Sequence, residues 1–427
     1  MRSFPPLQHR GFRDLFFGQT VSTLGDVVYY FVFLFVTDQV TRDPRMVAVV
    51  ATCQALPYVL FGPFAGVLAD RFDRRKVMLW CEGLSVLTTL LICIYGLVAK
   101  DGFSIVPLCI AAFALSTMNA FFAPARSAAI PRLATADYAA EAAGLMVSMQ
   151  QVMGLISAAL LATVLAALSK IFPDHFLSVG AGFNALTYLI SFWFTLKLPA
   201  LMPDRAETGG LDRGLRDAWL SFKGDLAEGV RAVSQDPVVK IALPVSAIGT
   251  LFISGFMILY VTVNREWFGG RLETLAWIEL SYASVVVVGC LWLTKRPPRH
   301  PGQAFLFGIV GTGVLVGLMA FSRDYTVFLL LNMLCGVTVA YLIVPINQYI
   351  QTAVPDELRG RVSSLWGMLN SGMQPVGLAL IGPMLATLRT QGTFLAMGIG
   401  MALPGILGYG SKGIRRATLP SPDRGPE

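Results

Sequence analysis

The sequence is poor in charged residues and in histidine. Only 14% of its 427 residues are charged, whereas charged residues make up about a quarter of an average soluble domain. Histidine is a common general base and metal ligand, but it occurs only three times, at His9, His175 and His300, outside the long apolar segments. These shortages exclude an ordinary soluble protein, and they leave no residues for a catalytic triad or a histidine metal cluster within the apolar segments.

Closely spaced cysteines and a phosphate-binding loop are also missing. The six cysteines all fall inside apolar segments without close spacing, so they predict neither a disulfide framework nor a metal site. No Gly-x-x-x-x-Gly-Lys-Ser/Thr run occurs, and such a run is what cradles the phosphates of ATP. We therefore expect no cofactor, no enzymatic activity and no direct use of ATP by this chain.

Apolar sequence, by contrast, is abundant. Hydrophobic residues make up 55% of the chain, and the mean hydropathy is +0.64. Because a helix needs roughly 20 apolar residues to cross about 30 Å of hydrocarbon, the sequence predicts an all-α membrane protein with twelve transmembrane helices. The predicted spans are 12–38, 45–69, 76–98, 104–125, 138–168, 176–197, 238–263, 272–294, 301–321, 325–352, 360–388 and 391–412.

The basic residues indicate how these spans are oriented. Most of the 33 Lys and Arg residues fall in loops on one side of the predicted spans, and short loops rich in Lys and Arg face the cytoplasm. The sequence thus predicts an integral protein of the plasma (inner) membrane with both termini cytoplasmic. On this map no Lys or Arg lies deep within a span. The net charge of +7 favours contact with anionic membrane lipids, and no nucleic-acid partner is expected.

Two similar halves and a long connection predict the domain organisation. Ala129-Ile130-Pro131 follows the fourth span, and Ala353-Val354-Pro355 follows the tenth at the equivalent position. We predict an N-terminal six-helix lobe at 1–198, a linker at 199–237, a C-terminal six-helix lobe at 238–412 and a disordered tail at 413–427. The linker is expected to form an amphipathic helix on the cytoplasmic membrane surface, because apolar residues recur every three or four positions. These residues are Leu215, Trp219, Phe222, Leu226, Val230 and Val233.

The run from Gly66 to Lys76 places several charged side chains between two apolar segments. Its order of Gly, apolar residue, Leu, Ala, Asp, Arg and a basic cluster resembles the loop between helices 2 and 3 of the major facilitator superfamily of secondary transporters. Phe72 and Asp73, the latter where many members have Gly, are similar to the drug-efflux branch, which includes macrolide and siderophore exporters. The positions that match the family pattern are Gly66, Leu68, Asp70, Arg71, Arg74 and Arg75.

This resemblance implies two pseudo-symmetric six-helix lobes that rock about a site near the membrane midplane. It also implies that Asp70 caps the cytoplasmic start of helix 11 and holds the lobes closed on the inside, where a helix dipole favours a carboxylate. The alternative is that the arginines of this loop are hydrated and serve only as a topology signal. A second loop, after Pro355, resembles the corresponding loop of the efflux branch, and its arginines are expected to pair with acidic groups of the first. Its predicted gating residues are Asp356, Arg359, Gly360 and Arg361.

Two acidic residues within predicted spans are candidates for proton coupling. Asp26 is in the middle of the first span, where an ionised carboxylate is costly, so that it must bind a proton or find a partner. Glu279 in the eighth span is the second candidate. A protonated Asp26 that only donates a structural hydrogen bond remains an alternative, and Glu82 is expected to belong to a cytoplasmic charge network. Neutral amides within the spans are expected to line a central path, among them Gln54, Asn119, Gln150 and Asn347.

The residues and the resemblance together predict a secondary active transporter. It is expected to act as a monomer and to export a small amphipathic, drug-like molecule by alternating access in exchange for protons. Its expected partners are that substrate, protons and membrane lipids. The same fold exporting a siderophore, a lysophospholipid or a metal cation remains an alternative, as does a receptor or scaffold that transports nothing. A lipid-modifying enzyme would need clustered catalytic residues, and the spans supply none.

Overall fold

The computed structural model describes residues 5–99, 104–135, 138–160, 163, 166–172, 175–202, 228–231 and 233–418. Within these ranges every regular element is a helix. The chain divides into two compact units, Met1–Leu220 and Ser221–Glu427, called here the first and the second unit. Of the predicted linker residues, Leu215, Trp219, Phe222 and Leu226 lie outside the described part of the chain, whereas Val230 is exposed and Val233 is buried.

In the part of the first unit that the structure describes there are six long helices and one short one. After a 3-10 turn at Pro5–Gln8, they are α1 Arg10–Thr41, α2 Pro44–Arg71, α3 Arg74–Val98, α4 Val106–Leu133, α5 Ala139–Leu160, α6 Ala166–Ile171 and α7 Phe176–Leu196. Helix α1 packs against α5 and α7, helix α2 packs against α4, and helix α3 packs against both α4 and α7. The end of this unit where α2 ends and α3 begins carries the basic run, and we call it the basic end.

The described part of the second unit is also built from helices. Its helices are α8 Val239–Ile253, α9 Phe256–Trp267, α10 Leu272–Lys295, α11 Pro301–Met319, α12 Tyr325–Thr352, α13 Asp356–Gly408 and α14 Lys412–Arg416. Helix α13 is interrupted at Arg389, whose backbone has a φ of 57° and a ψ of 174°. These angles are far from those of an α-helix. Arg389 therefore divides α13 into two helical segments, which correspond to the eleventh and twelfth predicted spans.

Ten helical segments of the described residues are long and apolar enough to cross a membrane. The two further predicted spans correspond to α5 and to the second segment of α13. Two boundaries differ from the sequence predictions. Helix α4 runs to Leu133, beyond the predicted end at 125, because a hydropathy criterion stops at the first charged residue although a helix does not. The prediction of a disordered tail at 413–427 was wrong at its start, since α14 is helical and Ile414 is fully buried.

Small residues bring α1 close to α7. A Cβ atom added at Gly18 would lie 3.0 Å from the Cβ of Phe194, and one added at Gly25 would overlap the side chains of Asn184 and Thr187. Because these glycines are seven residues apart, they lie on the same face of α1. Glycine on that face lets the two backbones approach closely, and this approach places the residue after Gly25 next to the polar face of α7.

Candidate functional site: a charged cavity in the first unit

A polar cavity of about 340 Å³ lies within the first unit. Helices α1, α2, α3, α4, α5 and α7 all contribute side chains to its wall. Its charged groups are Asp26, Glu82 and Arg126, and its polar neutral groups include Gln19, Tyr58, Asn119, Gln150 and Tyr188. Three predicted site residues, Asp26, Asn119 and Gln150, are therefore brought together here.

Asp26 extends from α1 into this cavity and interacts with two neighbouring helices. The hydroxyl of Tyr188 on α7 donates a hydrogen bond of 2.5 Å to Oδ1 of Asp26. The side-chain amides of Asn119 and Asn184 lie beside the carboxylate, and the guanidinium of Arg126 acts on it electrostatically. The mid-span carboxylate thus has the polar partners that such a group needs within a membrane.

Arg126 lies within α4 and lines the same cavity as the mid-span Asp26, so the expectation that no Lys or Arg lies deep within a span was wrong. Its Nη1 donates a hydrogen bond of 3.0 Å to Oε1 of Gln19 on α1. Pro124, two residues earlier in the same helix, has no N–H to donate, so that the carbonyl of Ala120 loses its usual helical partner. The sequence signal for this site was spacing, since Asn119 and Arg126 are seven residues apart and share one face of α4.

Glu82 was also misassigned, because it lies in the cavity and not in a charge network at the membrane surface. Its side chain is only 2% exposed. Oε1 accepts hydrogen bonds from Ser191 Oγ and, at 3.4 Å, from Gln19 Nε2. Oε2 has no hydrogen-bond partner among the described residues. Glu82, Ser85 and Thr89 are spaced as one polar face of α3, and this spacing is the sequence signal that the expectation overlooked.

The side chain of Gln19 connects two of the three charged groups of the cavity, Arg126 and Glu82. Gln19 accepts from Arg126 through Oε1, and its Nε2 donates to Glu82 and, at 3.2 Å, to Ser191 Oγ. Two carboxylates and one guanidinium give the cavity a formal charge of minus one when all three are ionised. One proton, or one monovalent cation, neutralises it.

The other predicted residues within spans lie elsewhere. Gln54 is on α2, and its buried Oε1 has no partner among the described residues. Glu279 on α10 and Asn347 on α12 belong to the second unit, and neither lines the cavity. The side chain of Asn347 is exposed, and its amide donates to the carbonyl of Ile343 at 2.8 Å. Glu279 lies near Tyr260 and Tyr282, and no hydrogen bond of its carboxylate is seen in the described structure.

The basic run joins helix ends of the first unit to one another. Asp73 caps α3, because its Oδ1 accepts from the backbone N–H of Arg75 and from that of Leu201, at 3.0 Å each. Arg74 donates to the carbonyl of Ala128 at 3.1 Å, and Arg75 donates to the carbonyl of Leu196 at 2.6 Å. Cations at these carbonyls, near the C-terminal ends of α4 and α7, are favoured by the helix dipole.

The remaining predicted gating residues divide between the two loops. Around Gly66 a Cβ would meet no neighbouring atom within 4 Å. The side chains of Asp70 and Asp356, and the surroundings of Gly360, lie outside what the structure describes. Arg71 belongs to the last turn of α2. Arg359 donates to the carbonyl of Val354 at 3.2 Å, and Arg361 forms an ion pair of 2.8 Å with Glu228 of its own unit.

Sequence comparisons place this architecture among known proteins. The sequence model of the Major Facilitator Superfamily matches residues 15–378. The chain is 26% identical over 380 residues to macrolide efflux protein A of Streptococcus pyogenes, covering 86% of this chain and 88% of that protein. It is 25% identical over 391 residues to the multidrug efflux pump Tap of Mycolicibacterium fortuitum, covering 88% and 89%. It is 25% identical over 356 residues to the enterobactin exporter EntS of Shigella dysenteriae serotype 1, covering 80% and 77%.

Solved structures share the fold at much lower identity. A POT family transporter in complex with 5-aminolevulinic acid matches with a TM-score of 0.69 and 16% identity, over 95% of this chain and 97% of that one. The nucleoside transporter NupG matches with a TM-score of 0.64 and 15% identity, over 96% and 100%. At these identities the likeness is one of fold.

Proposed function

Because the chain belongs to the Major Facilitator Superfamily, we propose that it is a proton-coupled exporter of a small amphipathic cation. The exporters among its relatives support the direction of transport. The observation that carries the proposal is the cavity of the first unit, where Asp26, Glu82 and Arg126 line one space. Alternating access would then expose this cavity to one side of the membrane at a time.

The charge of the cavity gives a physical reason for exchange. With both carboxylates and the guanidinium ionised, the cavity carries one net negative charge, and an uncompensated charge within a membrane is costly. One proton and one protonated amine relieve this cost equally well. Binding of either therefore removes the need for the other, and such competition is what an antiporter requires.

The substrate class follows from the same balance of charge. A macrolide antibiotic is an amphipathic molecule, an apolar ring that carries a protonated amine, and the relatives include macrolide exporters. A polyanionic siderophore would add negative charge beside Asp26 and Glu82, with only Arg126 to compensate. The cationic amphiphile is therefore the preferred substrate, and siderophores, lysophospholipids and metal ions are alternatives for the same assay.

Asp26 and Glu82 are proposed as the proton-binding residues, and Tyr188, Gln19 and Arg126 as the groups that orient them. Glu279 is a second candidate in the other unit. For the loops, we propose that the basic end is cytoplasmic and that the protein lies in the inner membrane. The gating role of Asp70 and of the loop after Pro355 also remains a proposal, supported by the order of residues in both loops.

Uptake of radiolabelled erythromycin into proteoliposomes, driven by a pH gradient, tests the proposed function. We expect the wild-type protein to accumulate the drug and Asp26→Asn and Glu82→Gln to lose about tenfold or more of the gradient-driven rate. Asp324→Asn is the matched control, because Asp324 only caps α12 through a 2.9 Å bond to the N–H of Val327, and Asn caps a helix as well as Asp does.

The other outcomes each decide between alternatives. A loss of proton coupling in Glu279→Gln would place the second unit in the proton pathway. Full proton coupling in that variant would confine the pathway to the first unit. If Asp26→Asn and Glu82→Gln both keep the wild-type pH dependence, the cavity carboxylates are structural. If the wild-type protein moves neither erythromycin nor an alternative substrate, a receptor or scaffold replaces the transporter.

A further inference from the structure

A second hollow adjoins the charged cavity. Unlike that cavity, this groove is apolar. This groove has a volume of about 420 Å³ and lies at the basic end of the first unit, between α2, α3 and α4. Its wall is almost wholly apolar and includes Leu68, Phe72, Trp80, Leu84 and Phe121. Trp80 is 72% exposed, so that the groove opens on the outer surface of the protein.

The groove opens toward lipid. The exposed residues of α3 form one apolar stripe that runs the length of the helix, since Trp80, Leu87, Leu91, Ile94 and Val98 are all more than half exposed. In a membrane-spanning helix such a stripe faces hydrocarbon, because no polar group on it needs a partner. Lys76 is exposed at the rim of the groove, where a long basic side chain reaches the headgroups.

Two side chains separate the groove from the charged cavity. Cys81 of α3 and Met118 of α4 line both spaces. Cys81 is small and only 6% exposed, and Met118 has a flexible, unbranched side chain that adapts easily to its surroundings. Glu82, the residue after Cys81, already lies on the cavity side of this partition.

We propose that the groove is a lateral entrance through which an amphipathic cation passes from the membrane into the charged cavity. The apolar body of the molecule occupies the groove between α2, α3 and α4. Movement of the Met118 side chain opens the partition, and the amine then reaches Glu82 and Asp26. This inference rests on the proposed function, and it adds that the substrate is taken from the leaflet at the basic end and not from water.

Filling the partition tests this route. Met118→Trp enlarges one of its two side chains, and Leu91→Trp is the matched control, since Leu91 faces lipid on α3 outside the groove. In the proteoliposome assay with erythromycin, we expect Met118→Trp to lower the initial rate about tenfold, equivalent to roughly 1.4 kcal/mol of barrier. Leu91→Trp should keep the wild-type rate. Equal rates in the two variants would overturn the proposal.

A second measurement guards against misfolding of the Met118→Trp protein. A photoreactive aryl azide derivative of erythromycin is added to wild-type protein in lipid nanodiscs, and its adducts are mapped by mass spectrometry. We expect adducts on the peptide that contains Trp80 and Leu84, and we expect excess erythromycin to prevent them. Adducts that excess drug does not reduce, or none on this peptide, would exclude a specific entrance.

The two proposals fail in different ways. If wild-type protein shows no gradient-driven uptake, the proposed function fails, and the labelling still decides whether the groove binds the drug. If uptake is normal in the wild type and also in Met118→Trp, the function stands and the lateral entrance is wrong.

Discussion

At the scale of single residues, the cavity is a balance of charges in which Arg126 has the central part. It is the one basic group among the cavity residues, and it hydrogen-bonds Gln19, which in turn contacts Glu82. Removing one member of a buried ionic set leaves an uncompensated charge, whereas removing a matched pair does not. This distinction makes the electrostatic effect of Arg126 on Asp26 testable without any substrate.

We expect Arg126→Met to destabilise the protein by about 3 kcal/mol, because Asp26 and Glu82 lose their only cation in the cavity. Adding Asp26→Asn to Arg126→Met should restore most of that loss. Thermal unfolding of the detergent-purified variants measures both effects. If the double variant is less stable than Arg126→Met, the electrostatic coupling of the two residues is absent.

An isolated charge was easier to place from the sequence than a charge with charged neighbours in the chain. Asp26 was recognised because it interrupts a long apolar run. Glu82 and Arg126 lie within a few residues of basic loops, so their sequence neighbourhood suggested the membrane surface. Only the helical spacing to Ser85 and to Asn119 revealed that both face inward, and this spacing has meaning only once the helix ends are known.

At the scale of elements, the basic run of the first unit acts as a connector between helix ends. Asp73 satisfies two backbone N–H groups, one at the start of α3 and one at Leu201 after α7. The resemblance to a family loop singled out the charged residues of this run. It did not predict the contact with residue 201, because the position of a chain that returns after a long interval depends on tertiary packing.

We expect Asp73→Ala to lower the free energy of unfolding by about 1 to 2 kcal/mol, since a helix cap and a second N–H bond are lost together. Asp43→Ala is the control, because Asp43 caps α2 at 2.9 Å through Arg45 alone and is more exposed. Thermal unfolding should rank Asp73→Ala as the more damaging, and Asp73→Asn should be close to wild type. Equal losses at Asp73 and Asp43 would mean that the bond to Leu201 contributes nothing.

At the scale of the whole molecule, hydropathy and the repeated landmarks predicted the fold class, and the family match and the fold of solved transporters confirm it. Hydropathy succeeds at this scale because every lipid-facing backbone group must be satisfied within its own helix. Finer features escaped it. The interruption at Arg389 and the short α14 depend on local backbone angles and on the burial of Ile414, and neither changes the average hydropathy.

The orientation of the molecule is the remaining whole-molecule prediction, and α3 allows it to be tested with a matched pair. Lys76 near its start and Val98 at its end are both exposed, so that one helix provides both ends of the span. If short basic loops face the cytoplasm, a charged, membrane-impermeant thiol reagent added to intact cells should label Val98→Cys and not Lys76→Cys, each in a cysteine-free background. Permeabilised cells should give labelling of both. Labelling of Lys76→Cys alone in intact cells would reverse the orientation, and the groove would then open to the outer leaflet.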